Sequence, residues 1–168
     1  AVMGQLVPYL ISIGYAQPKA VSMMSLTAIV GIIGSYFWGW LDTKISTKVA
    51  SVAICLWMTM GMIVLSLTSK NPAIAVIACI IVGFSNGGFT NLAQSMIAQS
   101  YGRYDFAQAN SVIGTIQALI RSLGFVFLAL ALLFTGGYVG AYIFFAVLGI
   151  VAAILVYFID DKRTVKNY

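Results

Sequence analysis

The sequence predicts an all-α membrane protein, a bundle of six transmembrane helices. Its 168 residues are 61% hydrophobic and only 8% charged, with a mean hydropathy of +1.00. A water-soluble domain usually carries about 25% charged residues to cover its surface, so lipid must solvate much of this chain. Long apolar runs recur along it, and the apolar–polar alternation of strands is absent. An open sheet edge cannot lie in lipid, which leaves helices.

Composition also limits the chemistry. The sequence has no His and no Glu, which excludes His-ligated metal sites and His general-base catalysis. Cys55 and Cys79 stand singly in apolar runs, which argues against a disulfide or a metal site, and we expect no cofactor. The net charge of +5 comes from Lys and Arg placed mostly at the ends of apolar runs. This pattern is typical of membrane topology and not of nucleic-acid binding.

A spanning helix needs about 20 mostly apolar residues. Five runs reach this length: 20–41, 49–68, 73–98, 109–134 and 138–159. A further run, 1–14, is too short, and we expect it to be the end of a longer first span that stops at Gly14 and Pro18. The connections are short, which makes neighbouring spans antiparallel. They are 15–19, 42–48, 69–72, 99–108 and 136–137.

Basic residues near the span ends are distributed unevenly between the two sides. Lys19 and Lys70 lie on one side, and six lie on the other: Lys44, Lys48, Arg103, Lys162, Arg163 and Lys166. Cytoplasmic loops carry the excess of positive charge. We therefore expect loops 42–48 and 99–108 and the tail 160–168 to be cytoplasmic, in a bacterial or archaeal inner membrane.

Polar residues are concentrated in the first, fourth and fifth spans. They are Gln5, Pro8, Tyr9, Asn86, Gly87, Gly88, Thr90, Asn91, Gln94, Asn110, Gln117 and Arg121. The third and sixth spans are apolar on all sides, and such helices border lipid or protein and not water. We expect the first, fourth and fifth spans to face an aqueous cavity and the third and sixth to lie outside it.

Arg121 is the most informative residue, because it lies about 18 Å along its helix from Ala109. A charge at that depth costs at least about 2.5–3.5 kcal/mol, so the side chain should face a cavity or a partner. The acidic residues all lie at cytoplasmic ends: Asp42, Asp105, Asp160 and Asp161. Three interpretations remain open. Arg121 contacts an anionic substrate, pairs with a neutral group or with an acid of another segment, or extends to the cytoplasmic interface.

Other polar residues extend this candidate site. Asn110, Gly114, Gln117 and Arg121 share one narrow helix face, which indicates an aqueous path; interhelical hydrogen bonding is the alternative. Gln5 and Tyr9 share a face of the first span and are expected to donate hydrogen bonds inward. The predicted substrate-binding set is Arg121, Gln117, Asn110, Asn86, Asn91, Tyr9 and Gln5.

Glycine and proline indicate two interrupted helices. Gly87 and Gly88 are adjacent in the fourth span, and Gly4 and Pro8 lie in the first. Interrupted helices at corresponding positions of two halves often mark a transport site. The alternative is that these glycines only permit close helix packing.

The loop after the second span, Gly39-Trp-Leu-Asp42-Thr-Lys44-Ile-Ser-Thr-Lys48, resembles the major facilitator superfamily signature G-x-x-x-D-R-x-G-R-R. Asp42 comes one residue early, and Ser46 and Thr47 replace the second Gly and a basic residue. The segment 101–110, which leads into a span with a central cation, resembles the oxalate:formate antiporter and monocarboxylate porter branch. The resemblance covers the whole chain as the C-terminal half of a twelve-helix fold.

This resemblance implies a cavity lined by the first, second, fourth and fifth spans. The branch places a cation on the fifth helix to meet a substrate carboxylate, and Arg121 corresponds to it. The second cation of the antiporters is absent from 20–41, which argues against a dicarboxylate and favours a monocarboxylate or a different anion. The signature loop implies a cytoplasmic gate formed by Asp42, Lys44, Lys48, Arg103 and Asp105. The alternative is that Lys44 and Lys48 only set topology.

The leading hypothesis is therefore a secondary active transporter, not an enzyme, that moves a small organic anion by alternating access. Its expected partners are the substrate, the bilayer and an N-terminal six-helix half. No buried carboxylate or His lies in these spans, so coupling resides in that other half or the protein exchanges anions. The alternative is a non-transporting membrane subunit whose Arg121 pairs with an acid of a partner. A membrane enzyme is disfavoured, because no catalytic cluster gathers at either interface.

Overall fold

The computed structural model describes residues 2–68 and 71–158, which form six α-helices and no strand. They are α1 Val2–Ser12, α2 Gln17–Lys44, α3 Thr47–Ser66, α4 Pro72–Gly102, α5 Tyr104–Thr135 and α6 Tyr138–Phe158. The helices α2 to α6 are long and apolar enough to cross a membrane. The predicted fold class is confirmed. Lys70, the tail 160–168 and the side chain of Arg103 lie outside the described part.

Local sequence explains where several helices begin and end. The Ser46 hydroxyl accepts a hydrogen bond from the Val49 amide at 3.2 Å and caps α3. The Asn71 side chain accepts one from the Ala73 amide at 3.1 Å and caps α4. Such caps satisfy amides that have no partner within the helix. At the C-terminal end of α5, Gly136 has a φ of 68° and terminates the helix.

The predicted loop 99–108 is wrong, because nearly all of it is helical. The chain deviates from helical geometry only at Gly102, where φ is 70° and ψ is −173°. This is a backbone region that essentially only glycine occupies. The polar residues around it are compatible with a helix once it leaves the hydrocarbon. At 31 residues, α4 is about 46 Å long and exceeds the roughly 30 Å apolar core.

Two buried clusters hold the bundle together at opposite ends. One cluster joins α1, α2, α3, α4 and α6 around Tyr9, Leu65, Val82 and Tyr142. The other joins α2, α3, α4 and α6 around Trp38, Ile54, Leu92 and Ala153. Among the described residues, α5 contributes to neither cluster, and its fully buried side chain is Leu128.

The outer surface of the bundle is apolar. Leu155, Leu133 and Phe134 are 63%, 80% and 86% exposed, and many other large apolar side chains are turned outward in the same way. A water-soluble monomer rarely exposes continuous apolar surface of this extent. The structure therefore agrees with the composition in requiring lipid around these helices.

Candidate substrate-binding groove

The contact between α2 and α4 depends on glycine. A Cβ atom placed on Gly83 would overlap the Thr27 carbonyl oxygen, and one placed on Gly87 would overlap the Gly31 carbonyl oxygen. The residue numbers of the contacting pairs increase together along the two helices, so α2 and α4 run parallel. Small residues four apart on each helix allow this close backbone approach, as in other membrane helix pairs.

These glycines do not interrupt a helix, and that prediction is wrong. Within Pro72–Thr135 only Gly102 departs from helical geometry, so Gly87 and Gly88 are both helical. A Cβ atom on Gly88 would press against the Trp38 ring. The first helix is likewise continuous through Pro8. Close packing, the alternative interpretation, explains the adjacent glycines.

A groove of about 930 Å³ lies between α2 and α4, with Met3 of α1 at its edge. Its lining residues are Met3, Thr27, Ala28, Gly31, Ile32, Ser35, Tyr36, Gly39, Trp40, Thr43, Asn86, Gly87 and Asn91. Glycine forms its floor, and the side chains of Tyr36 and Trp40 project beside it. Helices α3 and α6 contribute nothing to it among the described residues.

Neutral polar groups provide the groove's hydrogen-bonding capacity. The Asn91 amide nitrogen donates to the Ser35 hydroxyl at 2.7 Å, which leaves the Asn91 carbonyl oxygen as a free acceptor. The Asn86 side chain is exposed and makes no hydrogen bond within the described chain. The Thr27 hydroxyl is occupied, since it donates to the Met23 carbonyl at 2.8 Å. No charged residue lines the groove among those described.

The structure places Arg121 on α5, exposed and outside the groove lining. One helical turn further along, the Phe125 ring lies 3.2 Å from the Cβ position of Gly4. Gly4 is adjacent to Met3, which lines the groove. Arg121 therefore lies one helical turn from a residue that packs against α1 next to Met3. Asn110 and Gln117, on the same helix, are half-buried and also lie outside the groove lining.

Tyr9 does not point inward as predicted. Its side chain is buried, and its hydroxyl donates to the Leu65 carbonyl at 2.6 Å and lies 3.1 Å from the Thr68 carbonyl. The hydroxyl therefore anchors α1 to the end of α3. Gln5 is half-buried and lies outside the groove lining. Of the predicted set, the structure brings together only Asn86 and Asn91.

No ion pair joins the predicted gate residues among the side chains that the structure describes, and the gate stays a prediction. Asp42 is half-buried, with one carboxylate oxygen enclosed and without a hydrogen-bond partner. Lys44 is exposed, whereas the Lys48 ammonium lies 5.6 Å from the centre of the Tyr157 ring. Asp105 is exposed at a small pocket beside Gly102.

Sequence reasoning did not assign Ser35, Tyr36 and Trp40 to the site. The available signal was the spacing of small residues, because Gly31 and Ser35 on α2 match Gly83 and Gly87 on α4. That spacing predicts a close helix pair and hence side chains grouped along its edge.

Five helices able to cross a bilayer, with their large apolar side chains turned outward, define a multi-pass integral membrane protein. A family model described as Major Facilitator Superfamily matches residues 2–168. The chain belongs to this family, whose members are transporters. No curated protein matches the chain, and no solved structure does. The superfamily resemblance seen in the sequence is confirmed, and its oxalate:formate and monocarboxylate branch stays a prediction.

Proposed function

We propose that this chain forms half of a secondary transporter that moves a small organic anion, a monocarboxylate, by alternating access. The observation that carries the proposal is Arg121, an exposed guanidinium in the middle of a spanning helix with no ion-pair partner within the described chain. A charge at this depth requires a counter-charge or water. A substrate carboxylate supplies the first, and guanidinium binds carboxylate in a two-pronged geometry.

The rest of the proposal follows the polarity of the helices. The half-buried Asn110 and Gln117 extend the polar face of α5 from Arg121 toward Gly102. We propose that this face borders the cavity shared with an N-terminal half, and that loop 42–48 and the Gly102 region are cytoplasmic in a bacterial or archaeal inner membrane. The enclosed Asp42 oxygen is the acceptor that a basic residue of a cytoplasmic latch would meet.

Uptake into proteoliposomes tests the proposal with the intact transporter. Radiolabelled monocarboxylates of one to six carbons are offered to the wild type, Arg121→Gln and Arg121→Lys. Arg121→Gln should abolish uptake, while Arg121→Lys should keep a fraction, because it retains charge but loses the planar geometry. Lys19→Gln is the matched control, since it removes one positive charge from an exposed span end and should leave uptake intact. Wild-type uptake by Arg121→Gln contradicts the proposal.

The exposed position of Arg121 also favours the second candidate, a non-transporting subunit whose partner supplies an acid. Removing Arg121 would then leave that acid buried and unpaired and destabilise the complex. Under the transporter proposal, Arg121→Gln keeps its Tm but loses the rise that bound substrate produces by mass action. A much lower Tm that still rises with substrate would favour the subunit.

A further inference from the structure

The described lining of the α2–α4 groove is uncharged, whereas Arg121 carries a positive charge. This difference indicates which chemical groups the substrate carries. Its volume of about 930 Å³ is at the upper end of the roughly 300–1,000 Å³ typical of small-molecule sites. A carboxylic acid of one to three carbons would leave most of that space unfilled. The groove therefore fits a longer molecule than the carboxylate that Arg121 would hold.

The polar groups of the groove favour hydroxyl groups as ligands. Ser35 accepts its hydrogen bond from Asn91, so its own hydroxyl proton is free to donate. The Asn91 carbonyl oxygen is free to accept, and the Asn86 amide offers both a donor and an acceptor. A hydroxyl group both donates and accepts, so it can satisfy such a set. A second carboxylate would find no cation among the described lining residues.

Two aromatic side chains complete this chemistry. Tyr36 and Trp40 are 81% and 49% exposed beside the groove. Their rings offer apolar faces to the C–H bonds of a polyhydroxylated chain, and their polar tips offer further hydrogen bonds. Met3 and Ile32 add apolar wall at the same groove.

We infer that the α2–α4 groove binds the uncharged, hydroxyl-bearing part of the substrate, so that the transported anion is a hydroxylated monocarboxylate. This inference rests on the proposed function, because Arg121 is assigned the carboxylate. Arg121 lies one helical turn from Phe125, whose ring packs against Gly4 next to the groove residue Met3, and this arrangement is consistent with one molecule reaching both. Asn86, Asn91 and Ser35 are then the residues that determine specificity.

Three six-carbon probes separate the two assignments when binding to the intact transporter is measured in detergent. Gluconate carries a carboxylate and hydroxyls, hexanoate carries the carboxylate alone, and glucitol carries the hydroxyls alone. Gluconate should bind at least about tenfold more tightly than hexanoate, since each hydrogen bond contributes about that factor. Asn86→Ala and Ser35→Ala should each weaken gluconate binding about tenfold and leave hexanoate unchanged.

Matched variants distinguish the possible outcomes. Ser25→Ala removes an exposed α2 hydroxyl outside the groove and should change neither acid. Arg121→Gln should abolish binding of both. Equal binding of the two acids, unaffected by Asn86→Ala, overturns this inference and leaves the anion proposal standing. If glucitol and gluconate bind equally, in a manner that depends on Asn86 and not on Arg121, the groove assignment stands and the anion proposal fails.

Discussion

Replacing Gly34 tests the close contact of α2 and α4 most directly. A Cβ atom at Gly34 would overlap the Phe84 carbonyl oxygen and lie 2.8 Å from the Phe84 Cα and carbonyl carbon. Ordinary contact needs at least 3.4 Å, so the two helices must separate before a Cβ atom can fit. The same carbonyl accepts a hydrogen bond from the Trp38 indole at 3.0 Å. Gly34→Ala therefore disturbs backbone and hydrogen bond together.

The expected magnitude combines three effects. Overpacking costs about 1–3 kcal/mol, and weakening the Trp38 bond costs about 0.5–1.5 kcal/mol. The higher helix propensity of alanine returns about 1 kcal/mol. Gly34→Ala should thus lower the free energy of unfolding by roughly 0.5–3.5 kcal/mol. Gly39→Ala is the control, because Gly39 lies in the same helix with nothing within 4 Å of its Cβ position, and it should stabilise by up to about 1 kcal/mol.

Thermal unfolding of the intact transporter in detergent compares the two variants. A change of 1 kcal/mol shifts Tm by about 2–4 °C in a protein of 150–250 residues, and by less in a longer protein such as the intact transporter. Gly34→Ala should therefore melt several degrees below the wild type, and Gly39→Ala at or slightly above it. Equal Tm values for the two variants would refute the assignment of Gly34 to a backbone contact.

Three further predictions concern other parts of the chain. Tyr9→Phe removes the hydroxyl that donates to the Leu65 carbonyl and should lower the free energy of unfolding by about 1–2 kcal/mol, measured by thermal unfolding. The control Tyr36→Phe, at an exposed ring, should change it very little. Similar losses in the two variants would contradict the anchoring role of Tyr9. Gly102→Ala forces a side chain into a glycine-only backbone region and should cost about 1–3 kcal/mol, so an unchanged Tm would show that the kink is not required. The isolated chain should take up no labelled substrate in proteoliposomes, and co-expression with an N-terminal half should partly restore uptake. Robust uptake by the purified chain alone would rule this out.

The sequence predicted a bundle of six helices correctly because long apolar runs show directly which segments favour lipid. It failed at residues 99–108 because polarity shows where a chain leaves the membrane and not where a helix ends. The helix is interrupted there only at Gly102, whose φ and ψ angles are not helical. Residue type alone cannot distinguish a helix that continues into water from a loop.

Prediction of the site was limited by contacts between distant parts of the chain. The bond from Tyr9 to Leu65 joins residues 56 positions apart, and nothing in the first span indicates that its hydroxyl turns toward α3. Gly87 and Gly88 resemble a helix break until the Gly31 carbonyl and the Trp38 ring are seen against them. Asn86 and Asn91 both line the groove because the close approach of α2 encloses the space beside them, and that approach depends on contacts between distant parts of the chain.

The shallow burial of α5 affects how mutations in this protein should be interpreted. Few residues of this helix are buried within the described chain, so a substitution on it removes few contacts made within the chain. Changes along α5 should appear in transport rates while the purified protein melts as before. At the contact between α2 and α4 the opposite is expected, because helix packing depends on the residues there. A variant that loses activity there will often have lost stability and will unfold when it is extracted from the membrane. A mutational scan scored only by cellular uptake would not distinguish positions on α5, where transport itself is impaired, from positions at the α2–α4 contact, where the protein is destabilised.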